Sequence, residues 1–274
     1  MPEHTLAAYA LAHGQGAAWI EPDLVMTRDG VLVALHDVTL EATTDVVARF
    51  PGRARPDGRF YVVDFERSEV DTLRVKERVP GRFPTEAAIF RVPTFDEVVL
   101  LVLGLNRATG CGVGLYPEIK SSAMHHAAGL DPERALLAAL ARHGLDASPL
   151  VRIQSFDTMS LERLRTYGGR HHLVQLIADD PERPTLDLPA LARTASSIGP
   201  AKTLLAREPD FVTRAHAVGL GVVTWTFRAD HVADGFTSFE AELDWAARLG
   251  VDALFTDHPD RAVAHLGSTR RCNT

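Results

Sequence analysis

WIEPDLVMTRDGVLVALHD, from Trp19 to Asp37, is the stretch that decides how the chain folds. An apolar run extends from Trp19 to Met26, a turn follows at Arg28-Asp29-Gly30, and a second run, Val31 to Leu35, leads to His36-Asp37. Two apolar runs joined by Asp-Gly predict a β-hairpin, because glycine accepts the positive φ that a tight turn needs. With Asp29-Gly30 as a two-residue loop, Arg28 pairs with Val31, Met26 lies across from Val33, and Asp23 lies across from His36. A bulge in the turn would shift this register by one residue. Side chains alternate along a strand, so Glu21 shares a face with Asp23. Two carboxylates and an imidazole then meet on one face. That face is either a solvated acidic edge or a site for a hard cation such as Ca²⁺ or Mg²⁺, which takes oxygen ligands and offsets the cost of burying carboxylates.

Outward from the hairpin, helices and strands alternate. Before it, Thr5 caps a helix reaching His13, with Leu6, Tyr9 and Ala10 at helical spacing. After it, Val38 to Arg91 is irregular and rich in Pro and Gly. It is too long for an ordinary loop and predicts a small inserted lobe, with a short strand at Phe60–Phe65 and one or two helical turns at Ser68–Arg74. Thr94 and Glu97 form a capping box for a helix reaching about Arg107. Then come a strand (Val113–Lys120), a helix (Pro132–His143), a strand (Leu150–Phe156), a helix (Asp157–Tyr167) and a strand (His172–Ile177). A helix over Asp187–Ala195, a short strand at Ser197–Gly199 and a helix over Pro209–Val218 follow. The last units are a strand (Gly221–Phe227), a helix (Phe239–Leu249), a strand (Ala253–Thr256) and a helix (Pro259–Leu266). Repeated strand–helix units predict an α/β fold of the TIM-type (β/α)8 barrel kind, a single domain over residues 1–274 with the lobe at 38–91 inside it. An open doubly wound sheet is the alternative, but no G-x-G-x-x-G follows a strand.

Composition narrows the function. The net charge of −7, without a basic block, excludes nucleic-acid binding as the main task. No apolar run is long enough to span a membrane. The opening Met-Pro-Glu-His is not a secretory signal. Cys111 and Cys272 are the only cysteines; they make no metal motif, and their spacing fixes no disulfide.

In a barrel the chemistry sits at the carboxyl ends of the strands. Glu21, Asp23, Glu118, Lys120, Gln154 and Trp225 occur there. Glu118 and Lys120 stand two apart and face one side, as a structural ion pair or as part of a site with Glu21 and Asp23. His36 is either a hydrogen-bonded histidine or a general acid or base, since its ordinary pKa lies near neutrality. Gln154 and Phe156 share a face, from which Gln154 could reach a ligand's phosphate or hydroxyls. Trp225 forms an apolar wall or fills the core. His125, His126, His171 and His172 are read as surface or loop residues, and Asp257 as a cap for the final helix or a turn.

PEHTLAAYALA (Pro2–Ala12), IEPD (Ile20–Asp23), TRDGVLVALHD (Thr27–Asp37), TTDV (Thr43–Val46), YPEIK (Tyr116–Lys120), IQSF (Ile153–Phe156), VVTWTF (Val222–Phe227) and FTDHPD (Phe255–Asp260) together resemble the glycerophosphodiester phosphodiesterase family, most closely its periplasmic and secreted bacterial members. The resemblance implies Glu21, Asp23 and Glu118 as metal ligands, Ca²⁺ most naturally and Mg²⁺ as the alternative. It implies a catalytic His36 and places Lys120 at the substrate phosphate; Gln154, Phe156 and Trp225, from their strand-end positions, are read as further substrate-binding residues. The substrate would be a small-molecule glycerophosphodiester such as a deacylated phospholipid, cleaved to sn-glycerol 3-phosphate and an alcohol. Family members carry a strand ending in His-Arg-Gly before the segment matching PEHT, and here Met1 precedes Pro2 directly. The expectation is therefore a barrel without its first strand and second acid/base histidine, seven strands where about eight close the ring. It leaves an inactive form that only binds metal and ligand as one alternative, and another barrel phosphodiesterase of the sphingomyelinase D-like kind as a second. Compartment stays open: periplasmic or secreted if the preceding segment carries an export signal, cytoplasmic otherwise. The sequence does not specify an oligomeric state.

Overall fold

The computed structural model describes residues 1–84, 89–182 and 185–272. The hairpin forms where the apolar pattern places it. β1 (Trp19–Ile20) and β2 (Asp23–Met26) are one strand interrupted at Glu21-Pro22, because Pro22 has no N–H for a ladder. β3 (Leu32–Ala34) returns antiparallel, but the expected register is wrong by one residue. Leu24 pairs with Ala34, Val25 with Val33 and Met26 with Leu32. The turn is the cause. Gly30 N–H donates to the Thr27 carbonyl and Thr27 N–H to that of Val31. The loop therefore holds Arg28, Asp29 and Gly30, and Gly30 takes the left-handed conformation at φ 83°, as in a type I turn closed by a bulge. Leu35, not His36, lies across from Asp23 and donates its N–H to the Asp23 carbonyl.

Both faces of the hairpin are covered, which is why β2 and β3 are buried throughout. Leu24, Met26, Leu32 and Ala34 face the main core, where they join Phe95, Val98, Ile119 and Leu136. Val25, Val33 and Leu35 face the other way, into a second apolar cluster with Leu40, Val46, Val62, Phe65, Val70 and Leu73. The strand period of two thus docks residues 38–84 and 89–92 on the back of the hairpin. Among the described residues of this segment lie two one-turn helices, Val46–Arg49 and Arg67–Val70. The expected strand at Phe60–Phe65 is instead a 3₁₀ turn at Val62–Asp64, with one bridge from Tyr61 to Thr39.

Ahead of the hairpin, α1 (Leu6–Gly14) is capped by the Thr5 hydroxyl, which accepts the Ala8 N–H. After the lobe, α2 (Phe95–Thr109) has the Thr94–Glu97 capping box. The segment expected as one strand, Val113–Lys120, is broken into β5 (Gly114–Leu115) and β6 (Glu118–Ile119), with a short β4 (Cys111–Gly112) just before it. Pro117 interrupts it as Pro22 interrupts its neighbour. β7 (Arg152–Ser155), β8 (His172–Ile177), β9 (Ser197–Pro200), β10 (Gly221–Phe227) and β11 (Ala253–Thr256) complete the sheet. The strand order is β11-β10-β9-β8-β7-β6-β2-β3, parallel except for β3. Among the described residues this sheet has seven parallel strands, the number counted from the sequence. The sheet curls into a TIM-type barrel wall. Tyr116, between β5 and β6, meets Phe255 of β11 with ring centroids 5.0 Å apart, although the two lie near opposite ends of the strand order.

Helices cover the outside of the sheet. Among them, Phe239–Leu249 and Pro259–Leu266 keep the expected bounds. The expected helix over Asp187–Ala195 is shorter, Leu188–Leu191, and two more, Ser122–Ala127 and Lys202–Arg207, carry no strong periodic signal. β12 (Arg271–Cys272) pairs with β4, and Cys111 and Cys272 form a disulfide that spacing alone left open. Of the four histidines read as surface or loop residues, His125 is a buried helix residue, 0% exposed, and His171 lies in a loop but is buried, 3% exposed. Among the described residues no helix is long and apolar enough to cross a membrane.

Candidate active site

Parallel register builds the site. Asp23 of β2 pairs with Glu118 of β6, and Glu118 with Gln154 of β7. Three polar side chains therefore stand in one row across three strands, each at most 5% exposed. Glu21, two residues before Asp23, points to the same side. One oxygen from each of Glu21, Asp23 and Glu118 falls within a 4.8 Å group. Lys120 Nζ lies 3.1 Å from Glu118 Oε1 and 3.8 Å from Asp23 Oδ1.

Three close carboxylates and one ammonium leave an excess of negative charge. Burial, then repulsion from Asp23 and Glu118, drives the Glu21 pKa well up. Burial and Asp23 do the same to Glu118 against the pull of Lys120. Asp23 goes the other way: burial would raise it, but His4 and Lys120 hold it well below the usual carboxylate range. Burial works against the charge on Lys120, yet Asp23 and Glu118 keep its pKa raised. Asp23 Oδ1 is buried with no hydrogen-bond partner. Hard oxygen donors, surplus negative charge and an orphaned carboxylate oxygen together fit a divalent cation.

His36 sits at the rim despite the shifted register. Its Nδ1 is 2.7 Å from Asp37 Oδ1, and Arg78 ties the other Asp37 oxygen (3.4 Å) to Glu3 (2.7 Å). A groove of about 310 Å³ runs beside it, lined by His36, Asp37, Thr39, Arg59, Tyr61 and Lys120. Phe156 and Trp225 meet edge to face at 5.5 Å on another side, and Lys120 Nζ lies 6.0 Å from the Phe156 ring. Trp225 is fixed by its indole N–H, which donates to the Gly199 carbonyl. Gln154 does not stand free at the mouth: it is buried, and its amide donates to Glu21 Oε1 at 2.8 Å.

Two arrangements escape the sequence. His4 reaches Asp23, with Nε2 3.0 Å from Oδ2; the only hint was a histidine directly before the Thr5 cap. Arg82 of the lobe clamps Asp230 through two hydrogen bonds and Asp257 through a third. Asp257 also accepts from Arg228, so it is an ion-pair partner and not the expected cap. A second group, His126, Asp131 and Glu133, also lies within 4.8 Å. There Glu133 is satisfied by Ser122 and His126, and Asp131 caps a helix and accepts from Tyr167.

A parallel α/β barrel with clustered carboxylates and a lysine at its strand ends defines a barrel protein with a pocket suited to a divalent cation. The family model for the glycerophosphoryl diester phosphodiesterase family matches residues 1–261. The chain belongs to that family. It is 32% identical over 314 residues to a glycerophosphodiester phosphodiesterase of Haemophilus influenzae, covering 97% of this chain and 86% of the other. It is 31% identical over 305 residues to one of Arabidopsis thaliana, covering 94% and 80%. Among solved structures, an Oleispira antarctica phosphodiesterase in complex with the product sn-glycerol-3-phosphate shares the fold, with a TM-score of 0.75 at 20% identity over 97% of this chain and 92% of that one.

Proposed function

We propose that this protein hydrolyses glycerophosphodiesters to sn-glycerol 3-phosphate and an alcohol, with Glu21, Asp23 and Glu118 holding a divalent cation. The convergence of these three carboxylates beside Lys120 and the His36 rim carries the reading. Ca²⁺ is the favoured cation, since an all-oxygen set of half-buried and buried carboxylates suits it, with Mg²⁺ as the alternative. When bound, the cation supplies charge neutralisation at the phosphate and acidifies a nearby hydroxyl.

The residues of the chain supply the rest. Lys120 offsets charge that develops on phosphorus. Asp37 orients the His36 ring through Nδ1, leaving Nε2 to exchange a proton with the attacking or departing oxygen. The glycerol 2-hydroxyl attacks phosphorus and gives up its proton while the P–O bond to the alcohol breaks and the alcohol takes a proton up; water then attacks the cyclic phosphate, the bond to the 2-oxygen breaks, and that oxygen takes up a proton from the water. Phe156 and Trp225 wall the carbon skeleton, and Gln154 holds Glu21 rather than the substrate. The Cys111–Cys272 bond favours an oxidising compartment for the protein. The test is release of glycerol 3-phosphate from glycerophosphocholine with Ca²⁺, with Mg²⁺ and with chelator. Release with a divalent cation and none with chelator is expected; no release under any of the three conditions overturns the proposal.

A further inference from the structure

His4 occupies a position for which its backbone is unusual. Its φ is 51°, the left-handed region that residues other than glycine seldom adopt. The side chain is nevertheless only 10% exposed. Nδ1 lies 2.7 Å from the Tyr9 hydroxyl and 3.5 Å from the Asp23 amide nitrogen. Both neighbours can donate, so Nδ1 is the acceptor and the ring proton sits on Nε2. That proton points at Asp23 Oδ2, 3.0 Å away. The two Asp23 oxygens are thus treated differently. Oδ2 is held by the imidazole, while Oδ1, on the Lys120 side, has no hydrogen-bond partner. Tyr9 is itself buried on α1, so the helix fixes the hydroxyl that fixes the ring.

We propose that His4 is a positioning residue of the cation site: it pins Oδ2 of Asp23, leaves Oδ1 for the cation, and is oriented by Tyr9. The inference rests on the reading of Glu21, Asp23 and Glu118 as cation ligands. Without the imidazole, the Asp23 carboxylate rotates and a buried oxygen loses its donor. Outer partners of this kind set metal affinity by about 10–100-fold.

The experiment is calorimetric titration of Ca²⁺ into the full chain, with thermal melts of each cation-free protein. The variants are Asp23→Asn, His4→Ala, His4→Gln and Tyr9→Phe. Asp23→Asn and His4→Ala should each weaken binding by about tenfold or more. His4→Gln keeps an N–H donor of similar reach and should recover most of the affinity; Tyr9→Phe should show an intermediate loss. If Asp23→Asn weakens binding and His4→Ala does not, the positioning role is wrong while the ligand set stands. A failure of His4→Gln to recover affinity, at a melting temperature equal to the parent's, also overturns the role. If Asp23→Asn itself leaves the Kd unchanged, the ligand set fails and the role of His4 fails with it.

Discussion

Asp23 and Glu118 are register partners on adjacent parallel strands, 3% and 5% exposed, and the Lys120 ammonium lies against both carboxylates. Burial and Asp23 each penalise an ionised Glu118. Glu118→Gln should therefore raise the melting temperature of the cation-free protein. It should also weaken Ca²⁺ binding by at least about tenfold, since it removes an anionic oxygen from the proposed set. Paired melts and titrations measure both, and unchanged Ca²⁺ and Mg²⁺ affinity would remove Glu118 from that set.

His36 faces the groove with its Nδ1 engaged by Asp37. Relative to the parent protein, His36→Ala should lower kcat for glycerophosphocholine by about 10²–10⁴, the usual range for a general acid or base. Its Ca²⁺ affinity should stay within about twofold, well short of the change expected on losing a ligand or its support. Near-normal turnover by the variant would rule out the proton-transfer role.

Arg82 spans from the lobe to two loops at the carboxyl end of the sheet, donating twice to Asp230 and once to Asp257. Its hydrogen bonds hold the Asp230 carboxyl down at about 2. Arg82→Ala should cost about 1 kcal/mol, roughly 2–4 °C in Tm for a chain of this size, because the clamp is two-pronged yet partly exposed. Limited proteolysis should also cut the variant sooner between Glu77 and Pro84. Identical melts and cleavage rates would show that the clamp carries no stability.

His125 is fully buried, and neither ring nitrogen meets a hydrogen-bond partner. Burial takes its pKa down from 6.5 to about 4. Between those values the unfolded chain binds a proton that the folded chain does not. Stability therefore rises with pH across that window, and this contribution is fully lost below about pH 4. His172, lowered by burial to about 4, acts in the same direction. Replacing an unpartnered imidazole by an apolar group should cost little, so His125→Leu should flatten the change in Tm between pH 7 and 4 relative to the parent. Parallel pH–Tm curves for the two proteins would contradict this.

The sequence by itself determined most of the long elements and the candidate chemistry, though not the 3₁₀ turn at Val62–Asp64 or the helices at Ser122–Ala127 and Lys202–Arg207. A strand period of two, an Asp-Gly turn and the Thr94–Glu97 box are local signals, readable within one window. β8, β10, β11 and the last two long helices accordingly keep their expected bounds. Glu21 with Asp23 and Glu118 with Lys120 were visible because a spacing of two puts side chains on one face. The tertiary structure decided what no window contains. It set the hairpin register through a three-residue turn, where one residue changes which side chain lies across from Asp23. It turned Gln154 toward Glu21, joined Arg82 to Asp230 across 148 residues, and brought His4 onto Asp23 across 19. These contacts depend on how separate elements pack after their loops close. The residues involved carry no periodicity that records the outcome.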